Sequence, residues 1–114
     1  MHELSIAMSL LDALEEEAER RKARVIAAHV RLGPLSGVVK EALVSAFEMA
    51  RQSTLLANCQ LVIEDVPIVV FCPVCNAERP PVSIQEMCCS FCGTPTPRVI
   101  TGSEMELKAL EIES

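Results

Sequence analysis

Tryptophan and tyrosine are absent, and the chain has only three phenylalanines among its 114 residues. A core with so few rings must be filled by Leu, Val, Ile, Ala and Met, and half the residues are apolar. No apolar run approaches the ~20 residues needed to span a bilayer, so no membrane segment is expected. Basic charge is also short: 10 Lys and Arg face 16 Asp and Glu, for a formal charge of −6. A chain of that sign repels nucleic acid and attracts cations or basic protein surfaces. There is no G-x4-G-K-[ST] phosphate loop, so the chain does not itself use nucleotide energy. The two histidines, His2 and His29, stand far from the glutamate clusters, and no Ser/His/Asp or Cys/His arrangement presents itself. The reading is therefore not an enzyme. The start Met1-His2-Glu3-Leu4 lacks the basic and apolar regions of a secretory signal. A cytoplasmic setting is expected, in which thiols stay reduced and bind metal.

What the chain does have is cysteine in pairs. Cys72-Pro73-Val74-Cys75 and Cys89-Ser90-Phe91-Cys92 form a C-x2-C-x13-C-x2-C pattern, close to the spacing of zinc sites. Two such hairpins offer four thiolates to a metal that prefers tetrahedral sulfur. Pro73 and Gly93 are residues that tight turns favour. Four thiolates leave no position open for water, which marks the site as structural zinc. Two disulfides are the alternative, but they need an oxidising compartment. Cys88 adjoins Cys89 and would make a poorer C-x3-C knuckle, so Cys89 is assigned to the metal and Cys88 is a bystander or a local alternate ligand. Cys59 reads as a small buried residue. A nucleic-acid-binding zinc ribbon would need a basic face with aromatics. Between Cys72 and Arg98 the only basic residues are Arg79 and Arg98, balanced by Glu78 and Glu86, and Phe91 is the only ring. A rubredoxin-like iron site would use similar knuckles, yet it leaves the rest of the chain without a purpose. A zinc-ribbon adaptor for protein or nucleic acid is the alternative function.

Along the chain, Leu4, Ala7, Met8, Leu11, Leu14 and Ala18 recur at helical spacing, which predicts a helix over 3–21. Its end, with Arg20, Arg21 and Lys22, complements the helix dipole. From Arg24 to Leu32 the period falls to two: Ile26, Ala28, Val30 and Leu32 point one way, Val25, Ala27, His29 and Arg31 the other. Gly33-Pro34-Leu35-Ser36-Gly37 breaks that strand, with Ser36 as the expected N-cap of a second helix. That helix would bury Val39, Leu43, Ala46, Phe47 and Ala50, and Met8 and Met49 are read as core. A β-rich stretch over 60–71 is broken at Pro67. Another strand, 104–112, changes phase near Ala109-Leu110, as a bulge would make it do. The expected fold is α+β: a small three-stranded mixed sheet with two helices on one face, plus an inserted zinc-ribbon-like domain built on four cysteines. Residues 1–67 and 101–114 would form the α/β domain and 68–100 the zinc-binding domain.

At the amino end, Met1 supplies an amine, His2 an amide and an imidazole, and Glu3 an amide and a carboxylate. These nitrogens can close chelate rings in one plane, the environment that suits Ni(II) or Cu(II). A solvated terminal imidazole is the plainer alternative. Met1-His2-Glu3-Leu4-Ser5, Gly33-Pro34-Leu35-Ser36-Gly37-Val38, the paired knuckles and Thr101-Gly102-Ser103-Glu104-Met105-Glu106-Leu107 together resemble the HypA/HybF family. These are nickel metallochaperones for the maturation of [NiFe] hydrogenases. The resemblance implies that Met1, His2 and Glu3 hold Ni(II) as transferred cargo and that Cys72, Cys75, Cys89 and Cys92 hold structural Zn(II). It also implies a maturation GTPase of the HypB type and the hydrogenase large subunit precursor as partners, with urease maturation factors as a further destination. Pro34 stands where relatives commonly carry an acidic residue, so a docking role of that carboxylate does not transfer.

Overall fold

The computed structural model describes residues 2–113. In chain order these form α1 (Glu3–Arg21), β1 (Arg24–Leu32), a 3-10 turn (Pro34–Ser36), α2 (Lys40–Ala50), a second 3-10 turn (Arg51–Ser53), β2 (Gln60–Asp65), β3 (Val69–Cys72), β4 (Ala77–Arg79), β5 (Val99–Thr101) and β6 (Met105–Glu113). They divide into two compact units. Among the described residues one takes 2–31, Val38–Glu64 and 106–113, and the other takes Leu32–Gly37 and Asp65–Met105.

The first unit pairs α1 and α2 with a mixed three-stranded sheet of order β2-β1-β6. β1 is central. Val25, Ala27, Ala28, Val30 and Leu32 are buried along it, and only its polar residues and Ile26 reach solvent. α1 buries Ala7, Leu10, Leu11 and Leu14, one continuous stripe at helical spacing. That stripe is rotated from the expected one, and Leu4 and Met8 are more than half exposed. Met49 is exposed as well, so neither Met8 nor Met49 is a core residue. α1 ends at Lys22, whose φ of 50° turns the chain left-handed into β1.

Two corrections concern the entry to α2. Ser36 is not its N-cap; it closes the 3-10 turn, and Gly37 follows with a φ of 80°. The N-cap is Val39, an exposed residue with no side chain able to cap, so it leaves the predicted buried face. Its N–H instead meets the Glu3 carboxylate, Oε2 at 3.3 Å. Leu43, Ala46 and Phe47 remain as the buried face.

β6 runs antiparallel to β1, as cross-strand pairs record: Arg24 with Glu113 at 2.7 Å and Arg31 with Glu106 at 2.8 Å. Lys108 bonds Glu64 and Glu111 bonds His29, and all four line one pocket. Residues three apart on a regular strand face opposite ways. β6 therefore shifts phase between Lys108 and Glu111.

The second unit carries an antiparallel sheet of order β4-β3-β5, with Cys72 opposite Ala77 and Val70 opposite both Arg79 and Val99. Its turn Gly33–Gly37 is sewn to the segment before β6: Gly33 N–H donates to Glu104 O and Leu35 N–H to Gly102 O, both at 2.8 Å. A β-carbon on Gly33 would lie 2.0 Å from Gly102 O, so no other residue fits there.

Candidate metal centre

β3 delivers Cys72 to the start of a turn, and Asn76, at a φ of 52°, carries the chain back into β4 with Cys75 on the inside of the bend. Cys75 N–H donates to Cys72 Sγ at 3.3 Å. The second knuckle repeats this chemistry without a strand on either side. Phe91 N–H donates to Cys89 Sγ at 3.4 Å, and Gly93, at a φ of 77°, closes the bend with its N–H on Cys89 O at 2.8 Å. Backbone bridges Pro81 to Cys89 and Cys88 to Pro95 fix the segment in place. Buried Thr96 ties down Met87 through its hydroxyl at 2.8 Å.

The result is a cluster of Cys72, Cys75, Cys89 and Cys92 whose sulfurs all lie within 4.8 Å of one another. Cys72 and Cys92 are 3.5 Å apart, Cys75 and Cys89 4.0 Å. A tetrahedron with Zn–S of ~2.3 Å has sulfur-to-sulfur edges of about 3.8 Å, so the donor set fits zinc. These separations are too long for disulfide bonds, and all six cysteines are free thiols. Cys88 lies outside the group: its N–H is engaged by Glu86 O, and its carbonyl accepts from Val82 N–H. Cys59 is buried and its thiol is pushed up by that burial, which leaves it inert.

Sulfurs this close share protons unevenly. Hydrogen bonding with Cys92 and Cys72 pushes Cys75 up to about 11, while the Thr94 hydroxyl and N–H bring Cys92 down to about 6. Thr94 Oγ1 stands 3.2 Å from Cys92 Sγ. Sequence reasoning passed over Thr94, and it counted Arg79 only as a basic residue of the segment, not as a group that favours the Cys75 thiolate. Neither carries a signal in the cysteine spacing, because both arrive through turn geometry and strand register.

The amino-terminal residues are placed differently. Met1 lies outside the described residues. His2 is exposed, just ahead of α1, with its carbonyl accepting Ile6 N–H at 3.2 Å. Glu3 opens α1, and its carboxylate is held below the usual range by its own N–H and then by that of Val39. His29 is not near them in role: its Nε2 lies 2.7 Å from Glu111 Oε2 on the sheet. Among the described residues the only group of three or more potential ligands is the cysteine cluster, and no helix is long and apolar enough to cross a membrane.

Comparison with known proteins bears on both ends of the chain. Residues 1–112 match the family described as "Hydrogenase/urease nickel incorporation, metallochaperone, hypA". The chain is 45% identical over 114 residues to the hydrogenase maturation factor HypA of Roseiflexus sp. (strain RS-1), covering 99% of this chain and 93% of that one. It is 40% identical to HypA of Wolinella succinogenes, over 100% and 97% of the two. The solution structure of the Ni metallochaperone HypA from Helicobacter pylori aligns at 31% identity with a TM-score of 0.66, covering 98% of this chain and 97% of that one. A likeness that runs nearly end to end in both sequence and fold leaves one assignment: the chain belongs to the HypA family of nickel-incorporation metallochaperones.

Proposed function

We propose that this chain binds Ni(II) at its amino end and delivers it during maturation of [NiFe] hydrogenase, with Zn(II) on Cys72, Cys75, Cys89 and Cys92 as a structural element. The observation that carries the reading is the full-length family match, joined to an exposed histidine at the second position. Nickel is the cargo. The Met1 amine, the His2 amide and imidazole and the Glu3 amide offer it nitrogens that suit a planar site. A site built on one chain end can open again, because protons and competing ligands displace it stepwise. Zinc, when bound, supplies a crosslink between two knuckles that have little apolar material of their own.

The partners under this reading are a maturation GTPase of the HypB type and the hydrogenase large subunit precursor, with urease maturation factors as a second destination. The absence of a phosphate loop in this chain fits a role in which the partner supplies nucleotide energy. The setting is cytoplasmic.

The test is a nickel titration of zinc-loaded protein that starts at Met1, run beside His2→Ala, with both metals counted. One zinc in each and tight nickel only in the unmutated chain is the expected result. Equal nickel binding by both would move the site to His29 or the cysteines. Loss of zinc in His2→Ala would overturn the separation of the two sites.

A further inference from the structure

The metal-bearing unit holds a cation whose surroundings folding alone does not explain. Arg79 ends β4, opposite Val70 of β3, and is half-buried. Its guanidinium carbon stands 4.2 Å from the centre of the Phe91 ring, and the same side chain favours the thiolate form of Cys75. Its Nε is buried and has no hydrogen-bond partner among the described residues. One residue thus spans both knuckles: its backbone stands in the strand that leaves the first, and its guanidinium covers Phe91 of the second. Arg98 does not do this; it stacks on Phe71 at 5.6 Å.

A guanidinium donor buried without an acceptor is unfavourable unless negative charge stands close to it. Four thiolates around one divalent cation carry a net negative charge that persists after the metal is bound. The Cys75 N–H and Phe91 N–H bonds to sulfur offset part of it from the backbone. Arg79 adds a full positive charge at the seam between the knuckles. Stacking on Phe91 fixes the plane of the guanidinium, so its donors are presented without a further loss of side-chain freedom.

We propose that Arg79 is a positioning residue of the four-cysteine centre, bridging its two knuckles and slowing metal release by offsetting the charge of the thiolates. The inference rests on the reading of the four cysteines as a zinc site. It assigns Arg79 no ligand role and no part in nickel transfer.

The test uses the full chain with its zinc, as wild type, Arg79→Gln, Arg79→Lys and Phe91→Leu. Metal content is counted first, and then zinc affinity and release to a chromophoric chelator are measured. The sulfur-to-metal charge-transfer band of the Co(II)-substituted proteins is recorded beside them. Arg79→Gln is expected to weaken zinc by about ten- to a hundredfold, the usual cost of losing a group that supports a ligand, and to shift the Co(II) band. Arg79→Lys returns the charge and should recover about half of that loss on a logarithmic scale, short of full recovery because it lacks the planar fork. Phe91→Leu keeps the charge of Arg79 and removes only the ring it stacks on, and should cost roughly two- to fivefold. A wild type without zinc would overturn the zinc reading itself. Zinc-loaded wild type and Arg79→Gln with equal affinity would overturn the role of Arg79 alone. Equal losses in Arg79→Gln and Arg79→Lys would also overturn it, since packing rather than charge would then be at work. Should Arg79→Gln fail to fold, an unchanged release rate in Phe91→Leu overturns the bridge.

Discussion

The two units of this molecule are filled with different material. Among the described residues, the largest fully buried side chains of the helix-and-sheet unit are Phe47, Leu14, Leu43, Leu56, Val30 and Cys59; those of the cysteine unit are Val70, Thr96, Cys72 and Cys89. The first is a conventional aliphatic core in which two helices cover a sheet, and burial of that kind contributes roughly 1.5–3 kcal/mol for each large side chain. The second has one buried aliphatic residue in its sheet, Val70, with Leu32 and Val66 buried elsewhere in the unit beside two sulfurs and a hydroxyl. Small units lacking a sufficient core require a staple. A metal on four cysteines is the staple this composition offers.

Removing the metal is expected to break the contrast most severely. Zinc binding by comparable sites is worth ~10–16 kcal/mol, so chelation or Cys72→Ser should abolish the amide protection of β3, β4 and β5. α1 and α2 should keep theirs. Hydrogen exchange with and without chelator reads this directly, and equal protection in both conditions would mean that Val70 and Thr96 hold the unit by themselves.

Phe47→Ala should show the reverse pattern at smaller scale. Truncating a fully buried ring leaves a cavity and costs about 3–5 kcal/mol. Denaturant unfolding should register that loss in the helical unit, while the zinc count per chain stays the same.

Acid sharpens the comparison at its weakest point, the tie between Glu3 and Val39. The Glu3 carboxyl lies below its ordinary range in the folded chain, first through its own N–H and then through Val39. A depressed carboxylate contributes stability above its unfolded value, roughly 4.3, and that contribution is lost as pH falls through the folded value. Glu3→Gln should therefore flatten the fall in Tm below about pH 5, with little effect near neutrality. The change is the smallest of the three because the group is open to solvent. An unaltered Tm profile in Glu3→Gln would show that the first turn of α2 is capped by water instead.

Much of this was legible beforehand. The period of α1 and the alternation of β1 predicted those elements with their bounds, because side-chain direction follows the backbone repeat. Pro67 marked the gap between β2 and β3, since proline donates no hydrogen bond to a sheet. The phase change in β6 was visible as Leu110 and Ile112 falling out of step with Met105 and Leu107. Other features were not legible. Helical spacing places Met8 and Leu11 on one broad face, and only the position of the neighbouring helix decides that Leu11 is buried and Met8 is not. Ser36 looked like a cap because serine often is one, yet the turn beginning at Gly33 consumed it.

The sequence by itself determined the spacing of the four cysteines, the periods of the helices and strands and the histidine at the second position, because each is a local property of consecutive residues. Tertiary structure alone decided that Glu3 reaches the start of α2 and that Arg79, in the strand that leaves the first knuckle, covers Phe91 of the second. These depend on contacts between segments far apart in the chain, where register and turn direction, rather than residue type, select the partner.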